Sequence, residues 1–106
     1  MQLQELLDKA KYTQELYEKR NPAMGRKNWT VSDYMSGFTG DVGELSKLIM
    51  AKNNLREFDN LDERLKHEVA DCLWSILVIA NNLNIDLEGA YNQLITDLEK
   101  RIAVGK

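Results

Sequence analysis

Apolar residues recur at helical spacing in four separate runs along this chain. Leu3, Leu6, Leu7, Ala10, Leu16 and Tyr17 do so over residues 2–20, a stretch without glycine or proline, which predicts a first amphipathic helix. That helix is expected to end before Asn21-Pro22, because proline disfavours the helical conformation of the residue ahead of it. NPAMGRKNWT, with Pro22, Gly25 and two asparagines, reads as a loop. Thr30 or Ser32 can cap a second helix running to about Asn54. NNLREFDNLD breaks the pattern and reads as a connection with a short turn of its own. A third helix is expected from Leu61 to Leu83, with Asn84 in the left-handed conformation that asparagine tolerates. Asp86 then caps a fourth helix through about Ile102. Short connections and the lack of any internal repeat predict one all-α domain over residues 1–106, arranged as a four-helix bundle.

Composition narrows the class. A chain of 106 residues with a net charge of -3 is not a generally basic surface for a nucleic-acid polymer. One cysteine, Cys72, excludes an internal disulfide framework and any multi-cysteine zinc site. One histidine, His67, excludes a multi-histidine metal centre and the Glu-x-x-His pairs of a di-iron carboxylate bundle. No apolar run reaches the roughly 18 residues of a membrane span, and the N-terminal residues lack the apolar core of a signal peptide. A cytoplasmic location is expected.

The informative residues are acids standing where a bundle wants apolar side chains. On a helical wheel Tyr34, Phe38, Val42, Leu45, Leu48 and Ile49 form the stripe of the second helix. Asp41 falls inside that stripe and Glu44 at its edge. On the third helix the stripe is Leu61, Leu65, Val69, Cys72, Ile76, Ile79 and Leu83, with Glu68 inside it and Asp71 at its edge. Each helix thus offers an acidic pair at i, i+3, and such pairs project from one face. Packing the helices through these stripes brings four carboxylates together. Desolvation and like-charge repulsion would then raise their pKa values unless a cation joins them. An all-oxygen donor set suits Mg²⁺, or Mn²⁺ in its place.

The segments GDVGELSKLIMAK and EVADCLWSILVIANNLNIDLEGA, with 23 residues between Glu44 and Glu68, resemble the MazG-like nucleotide pyrophosphohydrolases. The likeness is nearest the dCTPase-like branch, which often has a glycine at the place of Gly40. The resemblance implies an all-α fold, Mg²⁺ dependence and hydrolysis of (deoxy)nucleoside triphosphates to the monophosphate and pyrophosphate. It puts Asp41, Glu44, Glu68 and Asp71 in the metal-ligand positions, with Glu44 or Glu68 to accept the proton of the attacking water. Asp41 departs from the family's usual glutamate by one methylene. Leu94 and Leu98 stand where the family's last helix carries lysine and asparagine. The reading from a different class is a non-catalytic helical interaction module with a structural or vestigial carboxylate metal site.

Three further residues are candidates for substrate contact. Trp29 lies beside Arg26 and Lys27, and an aromatic face near cations suits a nucleotide; a tryptophan near this point lines the base pocket of the related dCTPases. Lys47 follows Glu44 by three residues, and Asn81 matches an asparagine of the family. His67 is expected at the surface and Cys72 in inert packing. The run LWSILVIA is apolar almost all round, which one small bundle cannot cover. A homodimer or homotetramer is expected, with Trp74 and Val78 at its interface.

Overall fold

The computed structural model describes residues 2–53 and 59–105. It consists of α1 (Leu3–Ala23), α2 (Val31–Asn53), α3 (Leu61–Asn82) and α4 (Leu87–Ala103), with no strand among the described residues. Residues 54–58, the middle of the connection expected from the sequence, lie outside the described set. No described helix is long and apolar enough to cross a membrane.

The helix boundaries are set by side-chain and backbone caps. Thr30 opens α2: its Oγ1 accepts from Asp33 N–H at 3.3 Å, while Asp33 accepts from Thr30 N–H at 2.9 Å. This reciprocal pair satisfies two otherwise orphaned donors. Asp86 opens α4 by accepting from Gly89 N–H at 3.1 Å, as expected. Asn84 ends the α3 turn at φ 54, with Ile85 N–H reaching back to Ala80 C=O and Asn84 N–H to Asn81 C=O. That is a left-handed C-terminal motif closed by two backbone bonds.

The end of α1 corrects the sequence reading. The helix does not stop at Arg20 but continues through Pro22 to Ala23. Gly25, at φ 70, is the true terminator, with Arg26 N–H bonded to Asn21 C=O at 2.8 Å and Gly25 N–H to Pro22 C=O at 3.1 Å. Proline's local penalty is outweighed by this closure. A left-handed conformation costs an L-residue about 1–2 kcal/mol, so Gly25→Ala is expected to destabilise the fold by roughly that amount in urea unfolding. An unchanged midpoint would mean the α1 cap contributes nothing.

α2 and α3 pack antiparallel along their length, with Asp41 opposite Glu68 and the Lys52 ammonium paired to Asp62 near the connection. α1 lies across the other side of α3. The core is Leu7 and Ala10 of α1, Tyr34 of α2, and Leu77, Val78 and Ala80 of α3. Polar groups finish the α1–α3 seam. The Gln14 and Asn82 amides bond to each other in both directions, at 3.2 and 2.9 Å, and Trp74 Nε1–H donates to Thr13 Oγ1 at 2.8 Å.

Two expectations are corrected here. Val78 is completely buried against α1 and α2 within one chain, so it is not available to an interface between chains, whereas Trp74, packed on the same helices, is only partly buried. α1 and α2 cover two faces of the apolar α3, leaving Val69, Leu73 and Ile76 exposed on its remaining surface. The four helices also do not close into one bundle within the chain. α4 has no buried residue, and only its first residue, Leu87, packs against the core. The radius of gyration is 17.1 Å, against about 13 Å for a compact chain of this size.

Candidate metal and nucleotide site

Asp41 on α2 and Glu68 and Asp71 on α3 converge, each offering a carboxylate oxygen within 4.8 Å of the others. All three are half-buried. The antiparallel pairing of α2 and α3 places them, and the i, i+3 spacing on α3 turns Glu68 and Asp71 to the same side. Burial pushes the Glu68 carboxyl above its ordinary value, and the neighbouring Asp41, which also hydrogen-bonds to it, and then Asp71 add to the rise. Cys72 stands next to the same group: partial burial raises its thiol, with Asp41, Glu68 and Asp71 adding to the effect.

Glu44, the fourth acid expected from the sequence, is not in this group. It sits one turn beyond Asp41 on α2, exposed, with Oε1 3.8 Å from the Lys47 ammonium. Lys47 is itself exposed. His67 is also exposed, as expected, yet its Nε2 reaches within 3.1 Å of Asp71 Oδ2. The sequence reading placed His67 only at the surface; its i, i+4 spacing from Asp71 was the signal for this contact.

Trp29 lies against the start of α2. Its ring meets that of Tyr34 edge-on, with centroids 5.4 Å apart and planes at 61°. It also covers Gly37, and 52% of the residue remains exposed. Gly37 precedes Asp41 by four residues, about 6 Å along the helix axis, so the indole is one turn from the carboxylates. Asn81 is placed elsewhere. It follows Asp71 by ten residues, about 15 Å along α3, and its Nδ2 donates to Leu7 C=O at 2.9 Å. It lines an open cleft of about 360 Å³ between the start of α1, the end of α3 and the start of α4.

The donor set fits a hard divalent cation. Three carboxylates supply only oxygen, lie close enough to share one ion, and hold a proton on Glu68 more tightly than usual when no cation is present.

The family model for the MazG nucleotide pyrophosphohydrolase domain matches residues 30–103, which contain the three converging acids. Searches of curated proteins and of solved structures return no match. The acidic cluster and helices α2, α3 and α4 all lie within that matched segment, and the chain belongs to the MazG nucleotide pyrophosphohydrolase family.

Proposed function

We propose that this protein is a divalent-metal-dependent pyrophosphohydrolase of (deoxy)nucleoside triphosphates. It would split the anhydride between the α and β phosphates and release a nucleoside monophosphate and pyrophosphate. The observation that carries this reading is the convergence of Asp41, Glu68 and Asp71 inside the segment matched by the family model.

Asp41, Glu68 and Asp71 would hold Mg²⁺, with Glu44 one turn further along α2 as a fourth acid facing the triphosphate. The bound cation would neutralise phosphate charge and acidify the attacking water. The protein groups then have two tasks. Glu68 or Glu44 takes the proton of the water as its oxygen attacks phosphorus and the anhydride bond to the leaving pyrophosphate breaks. Lys47, exposed beside Glu44, would meet a phosphate. Trp29 supplies the base contact.

The enzyme would work in the cytoplasm as a homodimer or homotetramer. What supports assembly is the apolar surface that one chain leaves open. Val69, Leu73 and Ile76 on α3 and Tyr91, Leu94 and Ile102 on α4 are all exposed.

The test is release of pyrophosphate from a panel of deoxynucleoside and ribonucleoside triphosphates, with Mg²⁺ and with chelator. Release that requires Mg²⁺ and yields the monophosphate supports the reading. No release from any member would favour the interaction module. Base stacking on an aromatic ring is worth about 1–3 kcal/mol. Trp29→Ala is therefore expected to raise KM roughly ten- to a hundredfold, with a smaller change in kcat. Trp29→Phe should recover much of the affinity. A lower Tm with KM unchanged would make Trp29 a packing residue.

A further inference from the structure

Gly37 stands in the interior of α2, where glycine costs about 1 kcal/mol relative to alanine. Its φ is not positive, so its backbone does not call for glycine. Its surroundings do. A β-carbon at residue 37 would stand 3.0 Å from Cζ3 and 3.3 Å from Cη2 of Trp29, closer than side chains ordinarily approach. The same test at Gly40 and Gly43, on the same helix, meets nothing within 4 Å. The close contact is specific to Gly37 and to the six-membered ring of the indole.

That ring has little room to yield inward. Tyr34 lies against it at 5.4 Å, is itself buried, and is braced by Trp74 with centroids 6.0 Å apart. A methyl group at position 37 would therefore lift the indole away from α2, on the side where it is open to solvent. The lift would take place one turn from Asp41, where the spacing between an aromatic surface and the carboxylates governs whether a nucleotide can reach both.

We propose that Gly37 is a positioning residue for the nucleobase: its missing side chain is the seat that holds the Trp29 indole down against α2 in register with the Asp41–Glu68–Asp71 cluster. This rests on the reading of Trp29 as the base contact. Gly37 does not touch the substrate; it acts through the place it gives the indole.

The experiment is a double-mutant cycle on the triphosphate turned over fastest in the panel, comparing wild type, Gly37→Ala, Trp29→Phe and the double variant. Gly37→Ala is expected to raise KM about fivefold, the low end of a stacking contact, with little change in kcat. Tm should stay level or rise, because alanine favours the helix. In the Trp29→Phe background, where the smaller ring does not extend to the Cζ3 and Cη2 positions, the same substitution should barely move KM. An equal rise in KM in both backgrounds, or no rise with Trp29 present, overturns the proposal. Trp29→Ala with a wild-type KM would instead defeat the base-contact reading, and this proposal with it. A Trp29→Ala effect without a Gly37→Ala effect defeats this proposal alone.

Discussion

Glu68→Gln is expected to reduce Mg²⁺-dependent pyrophosphate release by at least about a hundredfold while making the metal-free protein more stable. Removing a group that merely supports a metal ligand typically costs 10–100-fold in affinity or activity, and in the proposed function Glu68 is a ligand itself. The stability change follows from the sign of its pKa shift. Burial, Asp41 and Asp71 hold the folded Glu68 carboxyl above its ordinary 4.5, so the folded state binds the proton more tightly than the unfolded chain does. Stability is full below 4.5 and declines as pH rises through the folded pKa. Glutamine carries no charge and does not suffer that decline. At neutral pH the metal-free variant should melt above the metal-free wild type, and added Mg²⁺ should raise Tm only for the wild type. Full activity in Glu68→Gln would disprove the proposed role of the cluster. A loss of helical circular dichroism would show that Glu68 is needed for folding instead.

The second large effect is expected on α4. Its apolar side has Tyr91, Leu94 and Ile102 exposed, with Ile95 and Leu98 half-covered. An isolated chain would show this stripe to water beside the open face of α3. Burying one leucine is worth about 1.5–3 kcal/mol, and a symmetric interface counts each replacement twice. Leu94→Asp should therefore weaken self-association by at least about a hundredfold, since 1.4 kcal/mol is tenfold in Kd. Sedimentation at micromolar concentration should give a dimer or tetramer for the wild type and a monomer for Leu94→Asp. By contrast, Trp74 should already be shielded in the monomer, since it lies between Tyr17 and Tyr34. A wild-type monomer would refute the proposed assembly.

Helix existence was legible in the sequence because amphipathic period and capping agreed. Thr30, Asn84 and Asp86 each do locally what their side chains favour. The end of α1 was not, because Pro22 was weighed through its local effect while the backbone bonds around Gly25 depend on the chain beyond it. The carboxylate cluster was legible as two i, i+3 pairs. The wheel gives direction but not reach, so it grouped Glu44 with Asp41, whereas the structure leaves Glu44 beside Lys47. Val78 was misassigned for a related reason. A wheel says that a face is apolar, and it cannot say whether α1 or a second chain will cover it. The seat under Trp29 needed the loop's path, which periodicity does not carry.

The reciprocal amides of Gln14 and Asn82 have a consequence for how the sequence can drift. Gln14 is buried, and each amide supplies the donor and the acceptor that the other needs. An apolar residue at 82 strands the buried Gln14 amide, at about 1–3 kcal/mol, whereas replacing both together can be nearly neutral. The exposed Asn82, which also donates to Val78 C=O, loses less when Gln14 is replaced. Positions 14 and 82 are therefore coupled most strongly from the side of the buried Gln14: an apolar residue at 82 leaves the Gln14 amide short of its partner. The same pairing penalises any slide of α1 along α3, because a one-turn slip would part both amides at once. Apolar contacts alone would permit neighbouring registers of this seam, and the amide pair selects one among them.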